Sequence, residues 1–504
     1  MSIFNKINFK SKNAFSLGKP EAEAESNSRL DLSLKNLFVD EIGVIEAISN
    51  GKFIISGRKG TGKSAIVGYI TLNSFPADNF LYCRTVKPIF HNIAYLNDLI
   101  ENDNEKYQIL YEWIIISKLI EMILETKQGT YLREINALNK FYSKYIDLFN
   151  VEEWNRTKNA DSKWTMSVNM LLGVFSTSFT KEIKQKENEN KPFYYYLFGL
   201  RDVVKKVLRL QVFENYEFKV LFDDLDINFN LNNTSNCENL LSLIRIAKEY
   251  NNSYTSNSQI VIFIRDDVRR KLSGISSDSS KIFGSYEFQL KWYEKINDNE
   301  GKIKLRSLVN KRIKLNFDLL GIECNEQDPW SSYVKENRSY NYNKNSVFKN
   351  ILDYTFYRPR DLINIFLPLD LNNAYSIPLS IKEIKSLLKI YSERAYEEFN
   401  DEISIMFSKD EREAIKTFLG RMVIKLSNNN GIKYEELLEL IPLGLDESII
   451  EILYSYDAIG AIDQNGDQYF HFRESIPSIP FCKCRFCVPN IVKLYFDKSM
   501  NIIL

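Results

Sequence analysis

Neither sign of charge dominates this chain: Lys and Arg total 66 of its 504 residues, and Asp and Glu also total 66. No global basic field is available to draw it onto nucleic acid or anionic lipid, so any such contact needs a local patch. Cysteine is scarce. Six in a chain of this length, with Cys83, Cys237 and Cys324 isolated, make no disulfide framework and suit a reducing compartment, so a cytoplasmic location is expected. Long apolar runs are missing as well. The greasiest helical stretch, around Trp113 to Leu124, is interrupted by Ser117, Lys118 and Glu121 and is too short and too charged for a bilayer. The first residues run from Met1 into Lys10 and Lys12 without an apolar centre, so no signal peptide is expected and no membrane partner. No internal repeat runs through the chain. Also missing are a Ser-His-Asp set, a metalloprotease helix and a nuclease carboxylate cluster with a lysine beside it. The two histidines are His91, for which no partner can be named, and His471.

What is present is an ordinary globular composition, 44% hydrophobic and 26% charged, in a chain long enough for roughly two to four domains. Residues 1–35 are polar and read as an extended arm. Leu37 to Ile48 has helical spacing, ended by Asn50 and Gly51. Lys52 to Ser56 is a short apolar strand, followed by a glycine-rich turn, an apolar helix from Lys63 to Leu72, and a second strand at Phe80 to Cys83. Tyr107 to Thr126 carries apolar residues at spacings of three and four, as an amphipathic helix does. The charged run Lys181 to Lys191 reads as a solvated surface loop. Strands resume at Phe218 to Phe222 and Gln259 to Ile264, separated by a helix over Cys237 to Tyr250. Alternation of strands and helices implies a parallel sheet covered on both faces.

Beyond Trp292 the signals are helical: Leu305 to Leu315, Ser346 to Tyr354, Asp361 to Phe366 and Ile381 to Phe399. Three further helices follow, at Glu411 to Leu426, Lys433 to Leu440 and Asp446 to Tyr456. Strands at Ile459 to Asp463 and Gln468 to Arg473 then flank Asn465 and Gly466, a strong hairpin signal. Three helices and a hairpin make a winged helix. The fold class expected is α/β: a P-loop NTPase parallel sheet with a large helical insertion, a helical lid and a C-terminal winged-helix-like domain. The expected boundaries are 36–275 for the core, with the insertion at about 88–210, then 276–400 for the lid, 405–480 for the winged helix and 481–504 for a tail.

The chemistry begins at Gly57, Arg58, Lys59, Gly60, Thr61, Gly62, Lys63, Ser64 and Ala65, in unbroken succession between a strand and a helix. That context is the one a P-loop requires. Gly57, Gly60 and Gly62 let the backbone curl so that N–H groups face phosphate oxygens, aided by the helix N-terminus. Lys63 reaches the β- and γ-phosphates, with its head expected to face solvent otherwise, and the Ser64 hydroxyl ligates Mg²⁺. Asp223 and Asp224 end an apolar strand, where carboxylates sit beside the phosphates. Asp223 is assigned to Mg²⁺ through water, and Asp224 to orienting or deprotonating the attacking water. Asp226 is either a structural cap or a ligand to a partner group. Arg265, after the next strand, and Arg360, in the Arg358-to-Asp361 segment, are each either nucleotide contacts or surface ion pairs. Cys482, Cys484 and Cys487 with His471 offer zinc ligands, but the spacing is tight and reduced thiols are the preferred reading.

At these residues the chain resembles a known family. Phe53 to Ala65, Leu221 to Asp226, Ile262 to Asp267 and Tyr357 to Leu362 are similar to bacterial P-loop ATPases of DNA-repair type, a family named for a cyanobacterial open reading frame and related to the STAND and KAP groups. The match runs in order over about 35 to 365. The resemblance implies an ATPase switch, often encoded in mobile or anti-phage islands, with AAA+-like association of subunits into a homo-oligomer. The second acidic residue is Asp, as in STAND proteins, where most AAA+ enzymes carry Glu, and slow turnover would suit a switch. The expected function is therefore Mg²⁺-dependent ATP binding and hydrolysis, in defence or repair-associated signalling, working with a protein effector. The alternative is a DNA-handling ATPase resembling an origin-recognition or helicase-loading protein. Asp446 to Asp457 argues against it: Asp446, Glu447, Glu451 and Asp457 stand there without one Lys or Arg, and a recognition helix with four negative charges would repel phosphates.

Overall fold

The structure is a computed structural model of the chain. It describes residues 7–8, 16–27, 32–74, 80–87, 103–144, 197–225, 234–253, 257–275, 277–293, 303–335, 346–370, 376–404, 406–427, 430–473 and 479–502. His91, Asp226 and the run 181–191 lie outside them. The chain divides into two units: residues 43–59 with 63–290, and residues 1–42 with 60–62 and 291–504.

The first of these is built on a five-stranded parallel sheet. Its strands are β1 (Ile54–Gly57), β2 (Leu81–Val86), β3 (Glu217–Phe222), β4 (Ser258–Arg265) and β5 (Glu287–Gln289), in the order β2-β3-β4-β1-β5. The four expected strands are all present. β5 was not anticipated, because three residues reading Glu-Phe-Gln carry no pattern, and it extends the sheet past the expected core boundary at 275. Its helices are α1 (Val44–Ser49), α2 (Lys63–Leu72), α3 (Asp103–Glu125), α4 (Arg133–Lys144), α5 (Leu197–Leu208), α6 (Thr234–Ser253), α7 (Asp266–Ser273) and α8 (Ser277–Tyr286). The helix expected from Leu37 to Ile48 is instead two pieces, Leu34–Leu37 and α1. Gly43, at φ 74°, sits between them as the N-cap of α1. A left-handed residue cannot continue a helix, and periodicity alone did not reveal it.

Alternation along the strands explains the layering. Ile54, Tyr82, Phe218, Val220, Phe222, Ile260, Ile262 and Ile264 all point into one core with the apolar sides of α3, α5 and α6. Trp113, Ile115, Ile116, Leu119 and Ile120 of α3 are wholly buried there, so this helix is part of the sheet's own cover. Ile55, Cys83, Leu221, Val261 and Phe263 are buried on the opposite face. α2 lies on that side: its Thr71 Oγ1 is 3.3 Å from Thr85 Oγ1, which alternates with Tyr82 on β2. The topology accounts for this division. The chain runs from β1 to the far edge, steps back through β3 and β4, then passes β1 to reach β5. Parallel crossovers are right-handed, so reversing direction puts α2 on the face opposite α3 and α6. The reversal makes β1 a switch point, and open α/β sheets bind ligands outside the carboxyl ends of the strands at such points.

In the other unit, a helix from Lys304 to Leu320 (α9) anchors the first residues of the chain. The Arg312 guanidinium is buried and donates to both Glu25 oxygens at 2.6 and 3.1 Å and to Leu17 O at 2.6 Å. Asn316 Nδ2 donates to Ser16 O, and Ile7–Asn8 pairs with Ser376–Ile377. The expected extended arm is therefore packed wherever it is described. Residues 359–366 form α10 (Pro359–Phe366), followed by α11 (Ile381–Ile403), α12 (Lys409–Leu426), α13 (Tyr434–Leu438) and α14 (Ile449–Ser455). Hairpin strands Gly460–Ile462 and Gln468–Tyr469 form where Asn465 and Gly466 indicated. The second ends earlier than expected, at a 3-10 turn His471–Arg473. The segment expected as a tail is part of the fold: Arg485–Cys487 lies antiparallel between Gly460–Ile462 and Ile432–Lys433, and α15 (Asn490–Phe496) follows. Among the described residues no helix is long and apolar enough to cross a membrane.

Candidate functional site at the carboxyl edge of the sheet

β1 is buried throughout and runs straight into the glycine-rich turn. Gly60 (φ 82°) and Gly62 (φ 101°) hold the left-handed conformations that turn requires, whereas Gly57 is the last strand residue and keeps negative φ. The two outer glycines of the turn thus have different work from the first. Arg58 and Lys59 are half-buried. The middle of the turn groups with residues 291–504: Trp292 Nε1 donates to Thr61 O at 2.9 Å, and the Arg360 N–H to Gly60 O at 3.4 Å. A Cβ on Gly60 would meet Arg360 Cβ at 3.1 Å.

Lys63 and Ser64 open α2. Lys63 does not face solvent as expected. Its Nζ folds back and donates to Gly57 O at 2.8 Å and Arg58 O at 3.1 Å, because the turn's carbonyls are acceptors the ammonium can reach. Ser64 meets Asp223. Asp223 follows β3 on the α2 face, its N–H bonded to Val86 O at 3.1 Å, and its carboxyl lies close enough to the Ser64 hydroxyl to be stabilised by it. It is 4% exposed. Burial, reinforced by the neighbouring Asp224 charge, pushes its pKa up to about 6, against the lowering effect of the Asp224 N–H, Ser64 and Lys63. An oxygen pair of this kind fits Mg²⁺, which takes oxygen ligands, uses one or two protein groups and leaves the rest to water and phosphate.

Asp224 stands beside it at φ 56°, a left-handed backbone uncommon outside glycine, and Lys87 Nζ lies 2.8 Å from its Oδ2. Arg265 is directly paired with Gly57 in the ladder between β4 and β1, so the expected position is real. Its guanidinium, however, makes a two-pronged bond to Asp267, Nε to Oδ1 at 3.1 Å and Nη2 to Oδ2 at 2.8 Å. Of its two readings, this ion pair is what the structure displays. In α10, Arg358 is buried and bonds Asp361, with Glu398 at 3.4 Å, and Arg360 Nε donates to Pro20 O at 3.3 Å.

Several residues at this edge were not anticipated. Lys87 was missed because the second strand was expected to stop at Cys83. Extending it to Val86 would have put Lys87 level with the acidic pair. Glu287 on β5 accepts from Ser56, inside β1, and takes a two-pronged bond from Arg269 at 3.0 and 2.8 Å. That network braces the strand beneath the turn. At the amino edge of the sheet a polar cleft of about 400 Å³ is lined by Asn50, Lys52, Lys219, Asn251 and Asn257. Asn251 and Asn257 spend their amides on backbone carbonyls, so they brace loops.

The C-terminal thiols are a separate feature. Cys482 is exposed, Cys484 Sγ lies 3.6 Å from Pro480 O, and Cys487 is buried in its strand with its pKa pushed up to about 12 by that burial. His471 Nδ1 is 3.3 Å from Asp457 Oδ1. Among the described residues no three His, Cys, Asp or Glu gather as a metal group.

Comparison with known protein families and with curated proteins finds no match.

Proposed function

We propose that the chain is a nucleoside triphosphatase that binds MgATP at the turn between β1 and α2 and hydrolyses it slowly, as a switch. The observation that carries this reading is the approach of Ser64 and Asp223, two oxygen ligands far apart in sequence, at a switch point of a parallel sheet. Burial raises the Asp223 pKa despite the Asp224 N–H, Ser64 and Lys63 around it, which marks a cost that a bound cation would remove. In this reading Lys63 exchanges its two carbonyl partners for β- and γ-phosphate oxygens. Ser64 and Asp223 hold Mg²⁺, which when bound offsets the charge on the phosphates. Asp224 orients a water whose oxygen attacks the γ-phosphorus. The bond to the bridging oxygen breaks, and the water's proton passes to the Asp224 carboxylate. Arg265 and Arg360 reach nucleotide only by giving up the partners described above.

The resemblance of the motifs supports a role in anti-phage defence or repair-associated signalling, with a protein effector and with association of copies of this chain. The lid expected at 276–400 would begin after β5, and the four-stranded antiparallel sheet with α12 to α14 would serve as a winged-helix-like module. Glu435, Glu439, Asp446, Glu447 and Glu451 are exposed on that module with no basic residue among them from 434 to 456, which favours a protein partner over DNA.

The test is Asp224→Asn. Nucleotide binding should survive, because Lys63, Ser64 and Asp223 are untouched, while hydrolysis falls by roughly two to four orders of magnitude. A variant that hydrolyses ATP at the wild-type rate would show that Asp224 is structural.

A further inference from the structure

The residues that let the turn curl leave one of its peptide planes free to turn over. Gly62 stands at φ 101°, and glycine tolerates negative φ about as readily as positive. Rotating ψ of Thr61 and φ of Gly62 together would reverse the peptide between them, so the turn's own residues do not fix its direction. Donors from outside the turn do. Both come from residues 291–504, the unit to which 60–62 belong. The Arg360 N–H, which has no partner within α10 because it lies in the first turn, donates to Gly60 O at 3.4 Å. The Trp292 indole N–H donates to Thr61 O at 2.9 Å. In a trans peptide the carbonyl and the following N–H point in opposite directions. Holding Thr61 O toward Trp292 therefore directs the Gly62 N–H to the other side, and successive N–H groups on one side of a loop make an anion cradle. The chain puts the indole there through β5. The Leu290 N–H extends the β5 pairing to Ser56 O, beside the end of β1, and Trp292 follows two residues later.

We propose that Trp292 is a positioning residue for the triphosphate: its indole N–H holds the Thr61 carbonyl away from the cradle and so keeps the Gly62 N–H turned into it. The inference rests on the assignment of this turn as the nucleotide site. Trp292 and Thr61 are 6% and 3% exposed, so the bond between them is sheltered from water. An indole carries one polar group, a donor, and here it is spent on the turn. Without it the reversed peptide becomes populated, and apparent affinity falls in proportion to the fraction of chains still competent to bind. The brace touches neither Asp224 nor the attacking water, so it sets how tightly nucleotide is held and leaves the chemical step alone.

The experiment is calorimetric titration of MgATP into the full chain, with steady-state hydrolysis beside it, comparing wild type and Trp292→Phe. Phe keeps an aromatic ring in the buried site and removes the donor. Kd and KM should rise by about three- to tenfold, the worth of one neutral hydrogen bond, with kcat within about twofold. An unchanged Kd in a Trp292→Phe protein that melts like the wild type overturns the proposal. So does a fall in kcat at saturating MgATP with Kd unchanged, which would place Trp292 in the chemical step. Where turnover is too slow to read, Kd alone decides. Should Trp292→Phe melt well below the wild type, 3-benzothienylalanine at position 292, with the indole's size and sulfur in place of its N–H, makes the same comparison. Wild type that binds no nucleoside triphosphate defeats the nucleotide reading and this inference with it. Wild type that binds MgATP beside a Trp292→Phe protein of equal affinity defeats the inference alone.

Discussion

Replacing Asp223 with Asn should make the protein more stable at neutral pH while removing its Mg²⁺-dependent chemistry. The side chain is 4% exposed and its pKa stands at about 6, against an ordinary 3.8, with burial as the main cause. Below pH 4 the carboxyl is protonated in both folded and unfolded chains and costs nothing. Between about 4 and 6 the unfolded chain releases its proton while the folded one retains it, so folding stability falls as pH rises. Above 6 the full penalty is in place. A difference of roughly 2 in pKa, at about 1.4 kcal/mol each, sets a ceiling of about 3 kcal/mol, and about 1–3 is a reasonable recovery. Asn has the same shape, so no cavity offsets the gain, and it keeps one oxygen to accept; its NH2 then faces either Ser64 or the Asp224 N–H, which holds the recovery below the ceiling. For a unit of this size that is a rise in Tm of about 3–10 °C at pH 7. The assay is thermal melting of both proteins from pH 4 to pH 7. The gap between them should open from pH 4 to 6 and stay constant above. A variant less stable than wild type at pH 7, or a gap indifferent to pH, would refute the reasoning.

Removing Glu25 strands the buried Arg312 charge, so Glu25→Ala should cost about 3–5 kcal/mol in the unit containing residues 291–504, read by denaturant titration. A loss below about 1 kcal/mol would mean that the first residues are not docked as described. Among the C-terminal thiols, a maleimide should modify exposed Cys482 first and buried Cys487 last, in keeping with its thiol pKa of about 12. Elemental analysis should find no zinc in the purified protein. Stoichiometric zinc that disappears on changing Cys482, Cys484 and Cys487 together to Ser would overturn the preference for plain thiols.

What the sequence disclosed and what it hid divide along one physical line. Strand, turn and helix from Ile54 to Leu72 were legible because apolar burial, left-handed glycines and the helix start are all local. The hairpin at Asn465 and Gly466 was legible for the same reason. Asp223 and Asp224 could be found because an apolar strand that ends in two carboxylates is itself a local signal. The docking of residues 16–27 was not, since it depends on Glu25 meeting Arg312 across most of the chain, and polar composition suggested a free arm. β5 was hidden because an edge strand of three residues needs only its neighbour's hydrogen bonds. Arg485–Cys487 escaped because antiparallel pairing with Gly460–Ile462 is invisible in a cysteine-rich stretch that resembled a tail or metal motif. At the site, positions were easier to read than partners. Arg265 lies beside Gly57 as expected, yet its guanidinium is committed to Asp267, two residues away.

The most direct test is nucleotide binding by Lys63→Ala, measured by calorimetric titration of MgATP into wild type and variant. Lys63 is half-buried and donates to Gly57 O and Arg58 O, so its loss should lower stability by about 1–2 kcal/mol and leave the chain folded. Wild type should bind one MgATP per chain, and Lys63→Ala, folded by circular dichroism, should show no heat of binding. Equal affinity in the two proteins would contradict the assignment of this turn as the nucleotide site.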